Sequence, residues 1–150
     1  MTIKIIFGSA SAGWLPVKVM AERQELSFSV SYTPNDFLSE LVGALSGALT
    51  YDRTYVATIN EEPVLSSWTF RRASHTVAFA IATDVGRGMP LRSRKLLEHL
   101  GQPLPIVLPF WRALRELESR QPAQHFEARW RRPFPSVELE KLTMQVRLLG

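Results

Sequence analysis

Leu26-Ser27-Phe28-Ser29-Val30-Ser31-Tyr32 alternates apolar and polar residues without a break, and Thr33-Pro34-Asn35-Asp36 follows at once. Alternation with period two marks a strand with one buried and one wet face. The four residues after it carry helix-start signals. Thr33 can cap, Pro34 suits the first helical position, and Asp36 sits where the helix dipole favours negative charge. Leu38, Leu41, Val42, Leu45 and Leu49 then recur at helical spacing, predicting one apolar stripe laid on a sheet. Gly43 and Gly47 weaken such a helix, but small residues at that spacing let it approach the sheet closely.

Toward the N-terminus, Ile3, Ile5 and Phe7 share one face of a strand, and Val17 and Val19 belong to another after the Gly13-Trp14 turn. The short Glu22-Arg23-Gln24 turn favours an antiparallel hairpin, because parallel neighbours need a much longer crossover. Beyond the helix, residues 54–59, 64–71 and 76–82 resume the strand pattern. In the last, Val77, Phe79 and Ile81 alternate with alanines, as in a central or doubly covered strand. Gly86-Arg87-Gly88-Met89-Pro90 is turn material, and the character then changes. Residues 91–100 read as a helix ended by Gly101, and residues 106–118 as a second with a broad apolar face. Residues 136–149 fit a helix or a strand, and we favour the helix. The Pro-rich stretches 102–109 and 122–135 read as bends. The expected fold class is α+β: an antiparallel sheet of about six strands, one helix inserted after the third, and a helical C-terminal part. Strands clustered first and helices last argue against a doubly wound parallel sheet.

A chain of 150 residues with 45% apolar residues fits a single domain spanning 1–150, mainly β with one helix over 1–84 and mainly helical over 85–150. Cysteine is absent, which removes disulfides, thiolate nucleophiles and Cys-based metal sites, and is compatible with a reducing cytoplasm. No apolar run approaches the roughly 18–20 residues that span a bilayer. The N-terminus reads as a strand and not as a secretion signal, so we expect a cytoplasmic protein without a membrane partner. Charge is uneven: residues 1–84 carry six Lys/Arg against eight Asp/Glu, and residues 85–150 twelve against six. The basic half is almost all arginine, whose fork suits carboxylates and phosphates alike.

Catalytic and cofactor signatures fail one after another. His75, His99 and His125 are widely separated, with no metal-ligand spacing beside them. Gly8-Ser9-Ala10-Ser11-Ala12-Gly13 lacks the Lys-Ser/Thr of a phosphate loop, and Gly86-Arg87-Gly88 is too short for a dinucleotide fingerprint. No G-x-S-x-G elbow occurs, and Ser74-His75 are only sequence neighbours. We therefore expect no catalytic residues, no cofactor, no metal and no enzyme.

Binding chemistry has more material. Arg129-Trp130-Arg131-Arg132 interleaves guanidinium and aromatic groups, as single-strand nucleic-acid surfaces do, and tryptophan and arginine also dominate protein–protein hot spots. A core role for Trp130 is the alternative. Glu61-Glu62, the only acidic doublet, is followed by Pro63 and reads as a solvated turn, or as an acidic contact. The candidate partner-binding residues are Glu61, Glu62, Arg87, Arg92, Arg94, Arg129, Trp130, Arg131 and Arg132.

Phe7-Gly8, Gly13-Trp14-Leu15, Ser31 to Asp36 opening a helix with Leu38, Leu41 and Leu45, and Glu62-Pro63 before a strand form a pattern over roughly the first 80 residues. It resembles small bacterial immunity proteins encoded beside polymorphic or contact-dependent growth inhibition toxins. The resemblance implies a non-catalytic protein that binds one cognate toxin and blocks it. Immunity proteins against nucleases are often acidic, so here either the toxin is not a nuclease or the contact uses Glu61, Glu62 and the acidic first half. Nucleic-acid binding through the Arg-rich half is the alternative function, and an uncovered sheet face leaves a homodimer open.

Overall fold

The computed structural model describes residues 2–85 and 92–150. It is an α+β fold with two antiparallel sheets, where the sequence predicts one. The first sheet holds β1 (Ile3–Phe7), β2 (Trp14–Ala21) and β3 (Gln24–Ser31), in that order. Helix α1 (Phe37–Ala48) follows, and the second sheet is β4 (Thr54–Asn60), β5 (Leu65–Ala73), β6 (Thr76–Val85) and β7 (Arg92–Gly101), again in sequence order. Three helices close the chain: α2 (Pro103–Ser119), α3 (Ala123–Trp130) and α4 (Ser136–Leu149).

Each early strand buries alternate residues, as the pattern requires: Ile3, Ile5 and Phe7 in β1, Leu15, Val17, Val19 and Ala21 in β2, Phe28 and Val30 in β3. Helix α1 starts later than predicted. Its cap is Asp36, not Thr33, with the carboxylate accepting from the N–H of Ser39 at 3.3 Å and from its hydroxyl at 2.9 Å. The helix lies on β4 and β5, and α2 crosses β1, β6 and β7. Trp68 of β5 is completely buried where these layers meet. Four rings pack on it edge to face, from Phe28, Phe37, Phe79 and Phe110, with centroids 5.3 to 5.9 Å away.

The two helical glycines differ. A Cβ at Gly47 would collide with the Tyr55 ring, so smallness there admits the β4 side chain, whereas a Cβ at Gly43 meets nothing within 4 Å. Gly43→Ala is therefore expected to stabilise the protein by about 1 kcal/mol, the propensity difference alone, read as a higher urea midpoint. Gly47→Ala must force aside the Tyr55 ring, whose hydroxyl donates to Tyr51, and is expected to lower the midpoint instead.

Several expectations need correction. Residue 91 lies outside the described segments, but the rest of the expected 91–100 helix is strand β7, and Gly101 is its last residue instead of a helix cap. The apolar spacing that imitated a helix comes from a bulge. Ile81 faces Leu97 while Ala82 faces Lys95, so Leu96 is an extra residue and both leucines turn toward the core. Pairing with β6 along this length outweighs local propensity. Residues 122–135 are not all bends, because α3 forms there and buries Phe126 and Trp130 one turn apart. Helix α2 begins at Pro103, so two of the expected bend prolines occupy its first turn and Pro109 lies inside it. Residues 136–149 are helical, as favoured.

Candidate functional site

Four of the predicted polar residues, Glu61, Glu62, Arg131 and Arg132, are engaged with the protein itself. Where β3 approaches β4, Glu61 accepts the N–H of Ser29 at 3.0 Å, and Glu62 accepts the hydroxyl of Ser31 at 3.3 Å. Asn60 donates to the carbonyl of Thr33 at 3.0 Å. A second pair acts on the open edge of β4: Glu40 accepts the N–H of Thr58 at 3.0 Å, and Asn35 donates to the Thr58 carbonyl at 2.8 Å. These contacts stitch one sheet to the other without a backbone ladder.

Arg129 to Arg132 gather at the end of α3 against the β1–β2 turn and the Tyr32–Pro34 segment. The N–H of Gly13 donates to the carbonyl of Arg129 at 2.8 Å, and Gly13 in turn accepts from Tyr32 at 2.9 Å. Arg131 ends the helix with φ +71° and lays its guanidinium 5.4 Å from the centre of the Tyr32 ring. Arg132 donates to the carbonyls of Tyr32 and Pro34. Trp130 is completely buried and offers no ring at the surface; Arg129 is exposed. Arg94 is exposed on β7, away from this cluster in the pairing order. Arg87 lies outside the described residues, as does the side chain of Arg92. His75 sits in the β5–β6 turn, His99 in β7 and His125 on α3, and no metal-binding group of three or more His, Asp or Glu forms among the described residues.

A pronounced concavity lies elsewhere. A groove of about 860 Å³ runs between β1 and α2. One wall is the edge of β1 from Thr2 to Ile6; the other is a stripe on α2, Pro105, Pro109, Arg112, Glu116 and Arg120, spaced three or four residues apart on one helix side. Pro109 has no N–H, so the Pro105 carbonyl lacks its helical partner on this wall. Arg120 closes one end by donating to the carbonyls of Phe7 and, at 2.9 Å, Gly8. Its guanidinium also holds Glu116 through Nε at 2.7 Å, and that hydrogen bond keeps the Glu116 carboxyl below the usual carboxylate range. Lys4 and Arg112 are exposed, and neither forms an ion pair among the described residues. The groove thus carries net positive charge beside apolar Ile3, Ile5, Ile6 and Leu108. Part of its α2 wall falls in the 102–109 stretch that reads as bends in the sequence, and Arg112, Glu116 and Arg120 gain meaning only once β1 is placed beside them.

His99 also lines this groove, and burial pushes its pKa below the ordinary histidine value. The unfolded chain then takes up a proton near pH 6.5 that the folded chain accepts only at lower pH, so stability falls on acidification through that window. His99→Asn is expected to flatten this part of the stability profile, measured by urea denaturation between pH 7.5 and 5.5.

No protein-family model and no curated protein matches the chain. Among solved structures, one chain of the CdiA-CT/CdiI toxin and immunity complex from Enterobacter cloacae is similar, with TM-score 0.49 and 12% identity over 77% of this chain and 99% of that chain. Among the described residues no helix is long and apolar enough to cross a membrane.

Proposed function

We propose that this protein is a non-catalytic binding module that neutralises a cognate bacterial toxin, an immunity protein of the contact-dependent growth inhibition kind acting in the cytoplasm. The groove between β1 and α2 carries the reading. Its volume, apolar floor and few convergent polar groups suit recognition of another molecule, and its unpaired cations favour an acidic contact. The residue pattern of the first 80 positions supports the same reading through its resemblance to immunity proteins. The Glu61-Glu62 doublet, the acid pair a catalytic reading would use first, has an oxygen of each residue bonded to β3. The nucleic-acid reading asks for an aromatic ring exposed among guanidinium groups, and Trp130 supplies none.

Co-expression with the toxin domain encoded beside this gene tests the proposal. Growth rescue and a complex that survives gel filtration are expected. A neighbouring toxin that still kills in the presence of this protein, with no co-purification, overturns it.

A further inference from the structure

Each of the four outer strands of the two sheets has an edge group held by a side chain, and on β1 the rest of the edge opens onto the groove. An outer strand presents unpaired N–H and C=O groups that template pairing with another chain unless something blocks them. On β3 the N–H of Ser29 is held by Glu61, and on β4 both polar groups of Thr58 are held by Glu40 and Asn35. On β7 the carbonyl of the bulge residue Leu96 accepts from the Gln24 side chain at 2.6 Å. On β1 the block sits at the Phe7 end, from Arg120, and Thr2 to Ile6 line the groove.

The direction of the β1 groups follows from the ladder. Gly8 donates its N–H to Pro16 of β2 at 2.8 Å, so residue 8 faces β2. In an antiparallel pair the facing alternates, so Lys4 and Ile6 also face β2, and Ile3, Ile5 and Phe7 face away. Arg120 meets the Phe7 carbonyl on the open side; it also reaches the Gly8 carbonyl, just past the strand, which has no ladder donor because Pro16 lacks an N–H. The N–H and C=O of Ile3 and Ile5 and the N–H of Phe7 therefore point along the groove, and no side-chain partner meets them among the described residues.

We propose that the bound partner inserts an extended segment into this groove as a strand added to β1, carrying an acidic side chain to Lys4 and Arg112. This rests on the protein-binding function above. Strand addition obtains affinity from main-chain hydrogen bonds and specificity from alternate side chains. Here the main-chain partners are fixed by β1, and the specificity comes from two exposed cations beside the apolar Ile6 and Leu108. Arg120, tied to both β1 and Glu116, marks where the added strand stops.

Amide hydrogen exchange, read by NMR on the full chain alone and with the toxin domain encoded beside its gene, tests the inference. Ile3, Ile5 and Phe7 are expected to slow by at least about tenfold in the complex, while Lys4 and Ile6, already bonded to β2, change little. A complex with no change at Ile3, Ile5 and Phe7, or with equal slowing at all five residues, overturns strand addition and leaves the binding function standing. Absence of any complex overturns both. The double variant Lys4→Glu, Arg112→Glu, at two exposed positions, is expected to weaken binding by about 100-fold with an unchanged melting temperature. Unchanged affinity overturns the acidic segment. If sedimentation shows a dimer of the free chain and the same three amides are already slow, a second copy occupies the edge and the inference falls.

Discussion

Trp68→Ala is expected to remove a large share of the protein's stability and lower its urea midpoint more than any other single substitution in the core. The side chain has zero exposure, and rings from β3, α1, β6 and α2 converge on it, so its loss opens a cavity that no single element can close. Truncating a buried tryptophan costs about 3–5 kcal/mol, against a total stability of about 5–15 kcal/mol for a domain of this kind. Trp68→Phe separates volume from chemistry. The indole N–H of Trp68 has no hydrogen-bond partner, so phenylalanine forfeits no polar contact, and the cost should fall well below that of alanine. Urea titrations of both variants, followed by circular dichroism, check the order. Equal stability of the alanine variant and the parent would remove Trp68 from the centre of the core.

The second large effect belongs to Gly13. Its φ is +82°, a region that L side chains adopt only with strain, and a Cβ there would lie 2.5 Å from the Tyr32 ring and 3.2 Å from Cδ of Arg131. Gly13→Val combines backbone strain with overpacking, each worth about 1–3 kcal/mol. Gly13 also bonds to Arg129 and Tyr32 through its backbone, so the variant displaces the end of α3 along with the turn. We expect a melting temperature lower by about 10 °C and faster proteolysis within residues 120–135. Gly13→Ala should show a smaller drop of the same kind. A valine variant as stable as the parent would contradict the packing of Arg131 on Tyr32.

Elements whose apolar residues face a single layer are legible in the amino-acid order alone. β1, β2, β3 and α1 each show a clean period, and each buries the predicted face. β7 is not legible in this way, because the bulge at Leu96 breaks the period of two and leaves leucines at helical distances. α3 is hidden by flanking prolines and buries only Phe126 and Trp130. Within Arg129 to Arg132 composition suggests surface, but Trp130 has no exposure, since burial is decided by what α3 packs on. The groove is illegible for a different reason: an open strand edge is defined by partners that are missing, and residue types do not record which strand is outermost. The residues that carry the family resemblance have a structural explanation. Phe7-Gly8 receive Arg120, Gly13 joins Arg129 to Tyr32, Ser31 accepts the N–H of Thr33 at 3.2 Å, and Glu62 binds Ser31. They knit the sheets and helices together, so a pattern built from them reports architecture first.

The glutamates at positions 61 and 62 act as clamps between two sheets whose strands exchange no main-chain bonds among the described residues. Truncating either one releases a donor on β3 and is expected to loosen the junction of the sheets, so a mutational scan would score them as affinity determinants even if they lie far from the partner. Only a variant that weakens the complex while keeping its melting temperature reports a direct contact, and by that criterion Lys4 and Arg112 are separable from Glu61 and Glu62.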